Sequence, residues 1–173
     1  MQFVLGLIGI AVAAYLWAQR ARTAADIARD IAGLPAEARA AARRWNFKRR
    51  TDLHPVEGIE DPRLAMGGLA AAFVELDDLP TREARDRMTS ALGDTLRLTK
   101  TEVEEIAVLG AWFVRECGGP VPAIARLSRK LYRLDTGASL PVLLSILNDT
   151  AGDALSKRQA EALDDIRRAY GLT

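Results

Sequence analysis

The residue types that make and break bonds are sparse in this chain. His54 is the lone histidine and Cys117 the lone cysteine. With one of each, a structural zinc site lacks its ligands and an internal disulfide lacks its partner. Cys117 falls in an apolar helical pattern and reads as a packed thiol, which suits a reducing cytoplasm. His54 stands in Leu53-His54-Pro55 and reads as a loop residue rather than a ligand. No Gly-x-Ser-x-Gly elbow and no phosphate-binding glycine loop occurs, and Gly118-Gly119-Pro120 has too few glycines and the wrong flanks for one. Glu104-Glu105 and Asp164-Asp165 are carboxylate pairs. Adjacent helical positions diverge by about 100°, so both pairs read as solvated faces rather than acid–base partners. The chain therefore reads as non-enzymatic.

Binding chemistry is concentrated elsewhere. From Gln19 to Arg50 there are nine basic residues against three acidic ones, a local net of +6 that, from a total of +1, leaves −5 for Thr51 to Thr173. The densest part is Arg43-Arg44-Trp45-Asn46-Phe47-Lys48-Arg49-Arg50, five cations interleaved with Trp45 and Phe47. Such a run binds anionic headgroups at about 1 kcal/mol per nearby charge. The same composition also suits nucleic acid phosphates, and a solvated basic linker is the plain alternative. Lipid is preferred, and nucleic acid not expected, because of what precedes the run.

That preceding stretch, Phe3 to Ala18, is apolar or small throughout, and no charge appears until Arg20. Phe3, Val4, Leu5, Leu7, Ile8, Ile10, Val12 and Leu16 supply the hydrophobicity, with Tyr15 and Trp17 at the end where amphipathic rings suit an interface. Sixteen residues span about 24 Å as a helix, feasible as a tilted crossing once Met1, Gln2 and Gln19 extend it. A cleaved signal would need its basic residues before the apolar run, whereas Arg20 and Arg22 follow it. An uncleaved anchor is the first reading, a buried core helix the second and a signal peptide the last. The positive-inside rule then keeps the body in the cytoplasm, as a single-pass protein of a cell inner membrane. The expected organisation is an anchor over 1–19, a basic connector over 20–57 and a helical domain over 58–173.

The body reads as all-α, a compact bundle of about six helices, since alanine and leucine abound and aromatics are few. Leu53 to Glu60 reads as a loop. Asp61-Pro62 opens a first helix with Met66, Leu69, Phe73 and Leu76 on one face, and Gly67-Gly68 predicts close approach of a neighbouring helix. A second helix runs from about Thr81 to Leu96. Thr99 with Glu102 forms a capping box opening the third, which Gly118-Gly119-Pro120 ends. The fourth spans Pro122 to about Leu134, and the fifth carries Leu140, Leu143, Leu144 and Leu147. The last starts at the box of Ser156 and Gln159 and ends at Gly171. Two helix–turn–helix segments look repeated. Leu79 and Glu83 can be matched with Leu155 and Gln159, or Leu98 to Glu102 can be matched with Leu155 to Gln159.

From about Gly58 to Thr173 the body resembles the TerB-like helical domains, known from tellurite-resistance proteins and from the central region of DjlA-type co-chaperones. The likeness rests on an apolar helix, an acidic turn, a leucine and the start of the next helix, used at Ala70 to Glu83 and again at Leu144 to Gln159. Asp77-Asp78 stands where that family has Asp-Gly, and Gly152-Asp153 reverses it. The resemblance implies acidic metal-contacting positions near the turns, here Glu75, Asp77, Asp78 and Glu83, then Asp149 and Asp153, with Gln159 in place of a carboxylate. A hard divalent cation wants six to eight oxygen ligands. The alternative is helix capping with a solvated acidic turn and no cofactor. No His-Pro-Asp follows, so co-chaperone activity of the J-domain kind is not implied.

The expectation is thus a membrane-anchored helical protein-interaction module, an adaptor or stress-related scaffold of TerB-like type that contacts lipid through residues 1–50 and protein partners through its body. An accessory or assembly subunit of a larger membrane complex is the alternative. A divalent-cation sensor is a further one. Gly6 and Gly9 could pack an anchor against partner helices, although their spacing is not that of Gly-x-x-x-Gly.

Overall fold

The computed structural model describes residues 53–77 and 80–172, together with the helical positions Ala41 and Arg43. The run Phe3 to Ala18, the basic-run residues Arg44, Trp45, Phe47, Lys48, Arg49 and Arg50, and Asp78 lie outside the described residues. Among the described residues no helix is long and apolar enough to cross a membrane. These residues form one short 3-10 helix and six longer α-helices, with no strand among them.

The chain enters the bundle through the 3-10 turn Pro55–Gly58, where a plain loop is expected from the sequence. His54 starts it. Its Nδ1 accepts from the Val56 amide at 3.2 Å, and its Nε2 lies 3.2 Å from the Glu116 carbonyl. A neutral ring protonated on Nε2 satisfies both contacts. Val56 and Ile59 are fully buried, so the segment after Leu53 belongs to the folded body.

Helix α1, Pro62–Glu75, is organised as the sequence predicts at its start. Asp61 caps it by accepting from the Arg63 amide at 2.9 Å, and Pro62 occupies the first turn. Burial pushes the Asp61 carboxyl up, but the Arg63 hydrogen bonds and the charges of Arg63 and Arg43 outweigh it and leave the carboxyl below its ordinary range. The one-sided apolar face expected for this helix is too narrow. Every residue from Leu64 to Val74 is buried. The remaining helices are α2 Arg82–Leu96, α3 Lys100–Glu116, α4 Pro120–Asp135, α5 Leu140–Ala151 and α6 Lys157–Ala169. α3 and α4 enclose most of α1, α2 pairs with α5, and α6 packs on α4. The wrap is possible because the middle of α1 is alanine and glycine, which let neighbours approach from every side.

Gly67 and Gly110 set the closest of these approaches. A Cβ on Gly110 would lie 2.7 Å from the Gly67 carbonyl oxygen, and one on Gly67 would lie 2.1 Å from Ile106 Cγ2. The neighbouring helix foreseen at Gly67-Gly68 is therefore α3 at the first glycine and α4, through Leu127, at the second.

The caps follow the sequence closely. Thr81 accepts from the Ala84 amide, and the boxes of Thr99 with Glu102 and Ser156 with Gln159 are both closed in each direction. α4 begins at Pro120, two residues before the expected Pro122, because the positive φ angles of Gly118 and Gly119 turn the chain at once. One carboxylate departs from expectation. Glu104 is exposed, but Glu105 is only 5% exposed and pairs with Arg43 Nε at 2.9 Å. The solvated-face reading holds for Asp164 and Asp165, which are exposed and pair with Arg167 and Arg168, and fails for Glu105. Its position on α3 points inward, and a carboxylate there needs a cation brought from elsewhere in the chain.

Candidate functional site

The two acidic turns, distant in sequence, meet in space. Val74, Asp77, Pro80, Thr81 and Ala84 from the first, and Thr150, Ala151, Ala154, Ser156 and Gln159 from the second, line a shared cavity of about 210 Å³. Two arginines close the seam. Arg158 on α6 donates to the Leu76 carbonyl at the end of α1 at 3.0 Å, and Arg87 on α2 donates to the Thr150 carbonyl at the end of α5 at 3.2 Å. Each arginine lies on the helix that follows one turn and serves the last carbonyls of the helix that precedes the other. Those carbonyls lack intrahelical partners and carry the negative end of the helix dipole, so a cation is favoured there. Gly152, with φ +75°, would place a Cβ 3.2 Å from Arg87 Nε, so this turn suits glycine on both backbone and spatial grounds.

The two ways of matching these segments differ in their caps. Thr99 and Ser156 share a cap conformation and a closed capping box, so Leu98 to Glu102 and Leu155 to Gln159 are one local motif. In the other match Glu83 sits at the second position after its cap and is exposed. Gln159 is at the third position and is buried, with Oε1 accepting from the Ser156 amide at 3.0 Å.

The acidic positions singled out from sequence are dispersed around this seam. Asp77 reaches the shared cavity, Glu83 and Asp149 lie in an open depression with Asp86, Asp94 and Arg87, and Asp153 is exposed on its turn. Glu75 faces a third region. Among the described residues no three His, Cys, Asp or Glu side chains are grouped so as to hold a metal ion.

The third region is a groove of about 710 Å³ beside the seam, between the C-terminal end of α1, the first turn of α4 and the outer side of α6. Leu76, Pro80, Pro120, Val121, Ile124 and Ala162 supply apolar surface, and Glu75, Asp77, Glu161 and Asp165 line it together with Arg85 and Arg158. Burial pushes the Glu75 carboxyl above its ordinary range, against the pull of Arg115 and Arg85. Cys117 is half-buried, and burial raises its thiol pKa, which agrees with a packed, unreactive thiol.

A cationic face escaped the sequence reading. Arg126, Arg129, Lys130 and Arg133 recur on α4 at helical spacing, with no acidic residue on that helix before Asp135. Together with Tyr132, Glu57 and Ala169, the three arginines line a pocket of about 450 Å³. Glu57 pairs with Arg133 at 2.6 Å and Arg126 at 4.0 Å, and its carbonyl accepts from Lys130 Nζ at 2.8 Å. The periodic signal was present, but the denser basic run at residues 43–50 overshadowed it. No family model, curated protein or solved structure matches this chain.

Proposed function

We propose that this chain is a membrane-held helical interaction module. In this reading the run Phe3 to Ala18 is a single-pass anchor, the basic stretch that follows lies against lipid on the cytoplasmic side, and the bundle grips a partner protein. The observation that supports the gripping part is the groove beside the seam. It combines an apolar floor with charged groups of both signs, the composition of a protein-recognition surface rather than of a catalytic pocket. The likeness to TerB-like adaptor or stress-related domains belongs to the same proposal, supported by the six helices.

The test is purification of the full chain in mild detergent, comparing wild type with the double charge inversion Arg85→Glu, Glu161→Arg on the groove. The expected result is partner proteins that co-purify with wild type and are lost from the variant at unchanged melting temperature. Partners retained by the variant would overturn the assignment of the groove. Co-migration at fixed stoichiometry with one large complex would replace the adaptor by an accessory subunit. Release from membranes by carbonate washing would end the anchor. A melting temperature raised by calcium, magnesium or manganese would bring back the divalent-cation sensor.

A further inference from the structure

The arginine-lined pocket on α4 lies apart from the groove and is not used by the function proposed above. Its three arginines sit three and four residues apart, which places them on one stripe of the helix. A guanidinium is a planar fork that matches phosphate oxygens in pairs, and three around one concavity can share one phosphate. Glu57 offsets only part of this charge. Arg133 and Arg126 both lean on it, while Arg129 is tied by its Nε to the Ala125 carbonyl of its own helix at 3.0 Å. Lys130 adds a fourth cation nearby, engaged with the Glu57 carbonyl rather than its carboxylate.

We propose that the pocket framed by Arg126, Arg129 and Arg133 seats the phosphate of an anionic lipid headgroup and so gives the bundle a second contact with the bilayer. The proposal rests on the membrane reading above for the source of the lipid. Two features favour lipid over a polyanion. The stripe covers only about 10 Å of helix, too short to track a nucleic acid backbone. Tyr132 is 41% exposed and rests edge-on against Tyr170 at a centroid distance of 5.4 Å, an amphipathic ring of the kind that settles at headgroup depth. The placement is also compatible with the basic run, because Glu57 follows Arg50 by seven residues, a reach of at most about 25 Å.

The test incubates the full chain with vesicles of phosphatidylcholine alone and of phosphatidylcholine containing phosphatidylglycerol, at rising salt. Wild type should prefer the anionic vesicles, and Arg129→Gln should lower that preference about fivefold, the weight of one cation near a charged surface. Glu57→Gln should raise it, since the competing carboxylate is gone. That opposite sign, read alongside circular dichroism of each variant, separates a binding role from misfolding. The proposal is overturned if both variants keep the wild-type preference while Arg44→Gln, Lys48→Gln, Arg49→Gln and Arg50→Gln together abolish it. It is equally overturned if Arg129→Gln weakens binding to duplex DNA but not to vesicles. Retention on neutral vesicles after carbonate washing reads the anchor alone, so failure of the anchor and failure of the pocket give different results.

Discussion

The crossing of α1 with α3 and the seam between the two turns are both contacts between helices, and they are closed by opposite means. At the crossing two glycines let the helices come so close that a Cβ on Gly110 would lie 2.7 Å from the Gly67 carbonyl oxygen. At the seam two long arginines reach across to helix-terminal carbonyls, beside a cavity of about 210 Å³ that Arg87 lines. A contact made of backbone has no slack. One made of flexible side chains keeps room to adjust, and the open groove lies next to the second, not the first.

The strongest way to break this contrast is Gly110→Ala. Its Cβ meets backbone that cannot swing away, and we expect a loss of about 3 kcal/mol in chemical denaturation. A loss below about 1 kcal/mol would mean the crossing has slack after all. Gly68→Ala sharpens the point, since its Cβ meets only the side chain of Leu127, with Cδ1 at 2.9 Å and Cδ2 at 3.3 Å. A small change in the Leu127 side-chain torsions and the better helix propensity of alanine should keep the change within about 1 kcal/mol. At the seam, Arg158→Met should cost about 1 to 2 kcal/mol by leaving the Leu76 carbonyl without its charged donor. Ser156→Ala and Thr99→Ala should each cost about 1 kcal/mol as lost caps, and a larger loss at Ser156, which lines the seam cavity, would show that the seam leans on its box.

The smallest effect concerns Glu75, where only pH reveals the groove. Its folded-state pKa is raised by burial, so the ionised carboxylate costs stability above that pKa and costs nothing below the unfolded-state value. Glu75→Gln should therefore be more stable than wild type at neutral pH, and the advantage should shrink to nothing as pH falls through the carboxylate range. Melting temperatures across that range decide it, and an advantage that grows in acid would reverse the assignment. Asp61 runs the other way. Its lowered pKa contributes stability above the unfolded-state value, lost as pH falls through the folded one.

Legibility from sequence followed the range of the interaction. The caps of Asp61, Thr99 and Ser156 were readable because each is decided within four residues. Gly67-Gly68 signalled a close approach, but Gly110 was its unrecognised partner, because nothing local ties the two positions together. Glu105 was misread because charge suggests solvent, while its position on α3 and the arrival of Arg43 put it inside. The cationic stripe of α4 was periodic and open to view, but only its enclosure by Glu57 and Ala169 makes it a pocket.

The amino-acid order by itself determined the six α-helices, most of their ends and the charge division between the basic stretch and the acidic body, because propensity, capping and composition act over a turn or two of chain. Tertiary structure alone decided that most of α1 is enclosed, that the two turns share one cavity, and that their described acidic residues divide among that cavity, the groove and an open depression, with Asp153 exposed on its turn. Those outcomes depend on the angles at which whole helices cross, which are set by the summed packing of residues far apart in the chain.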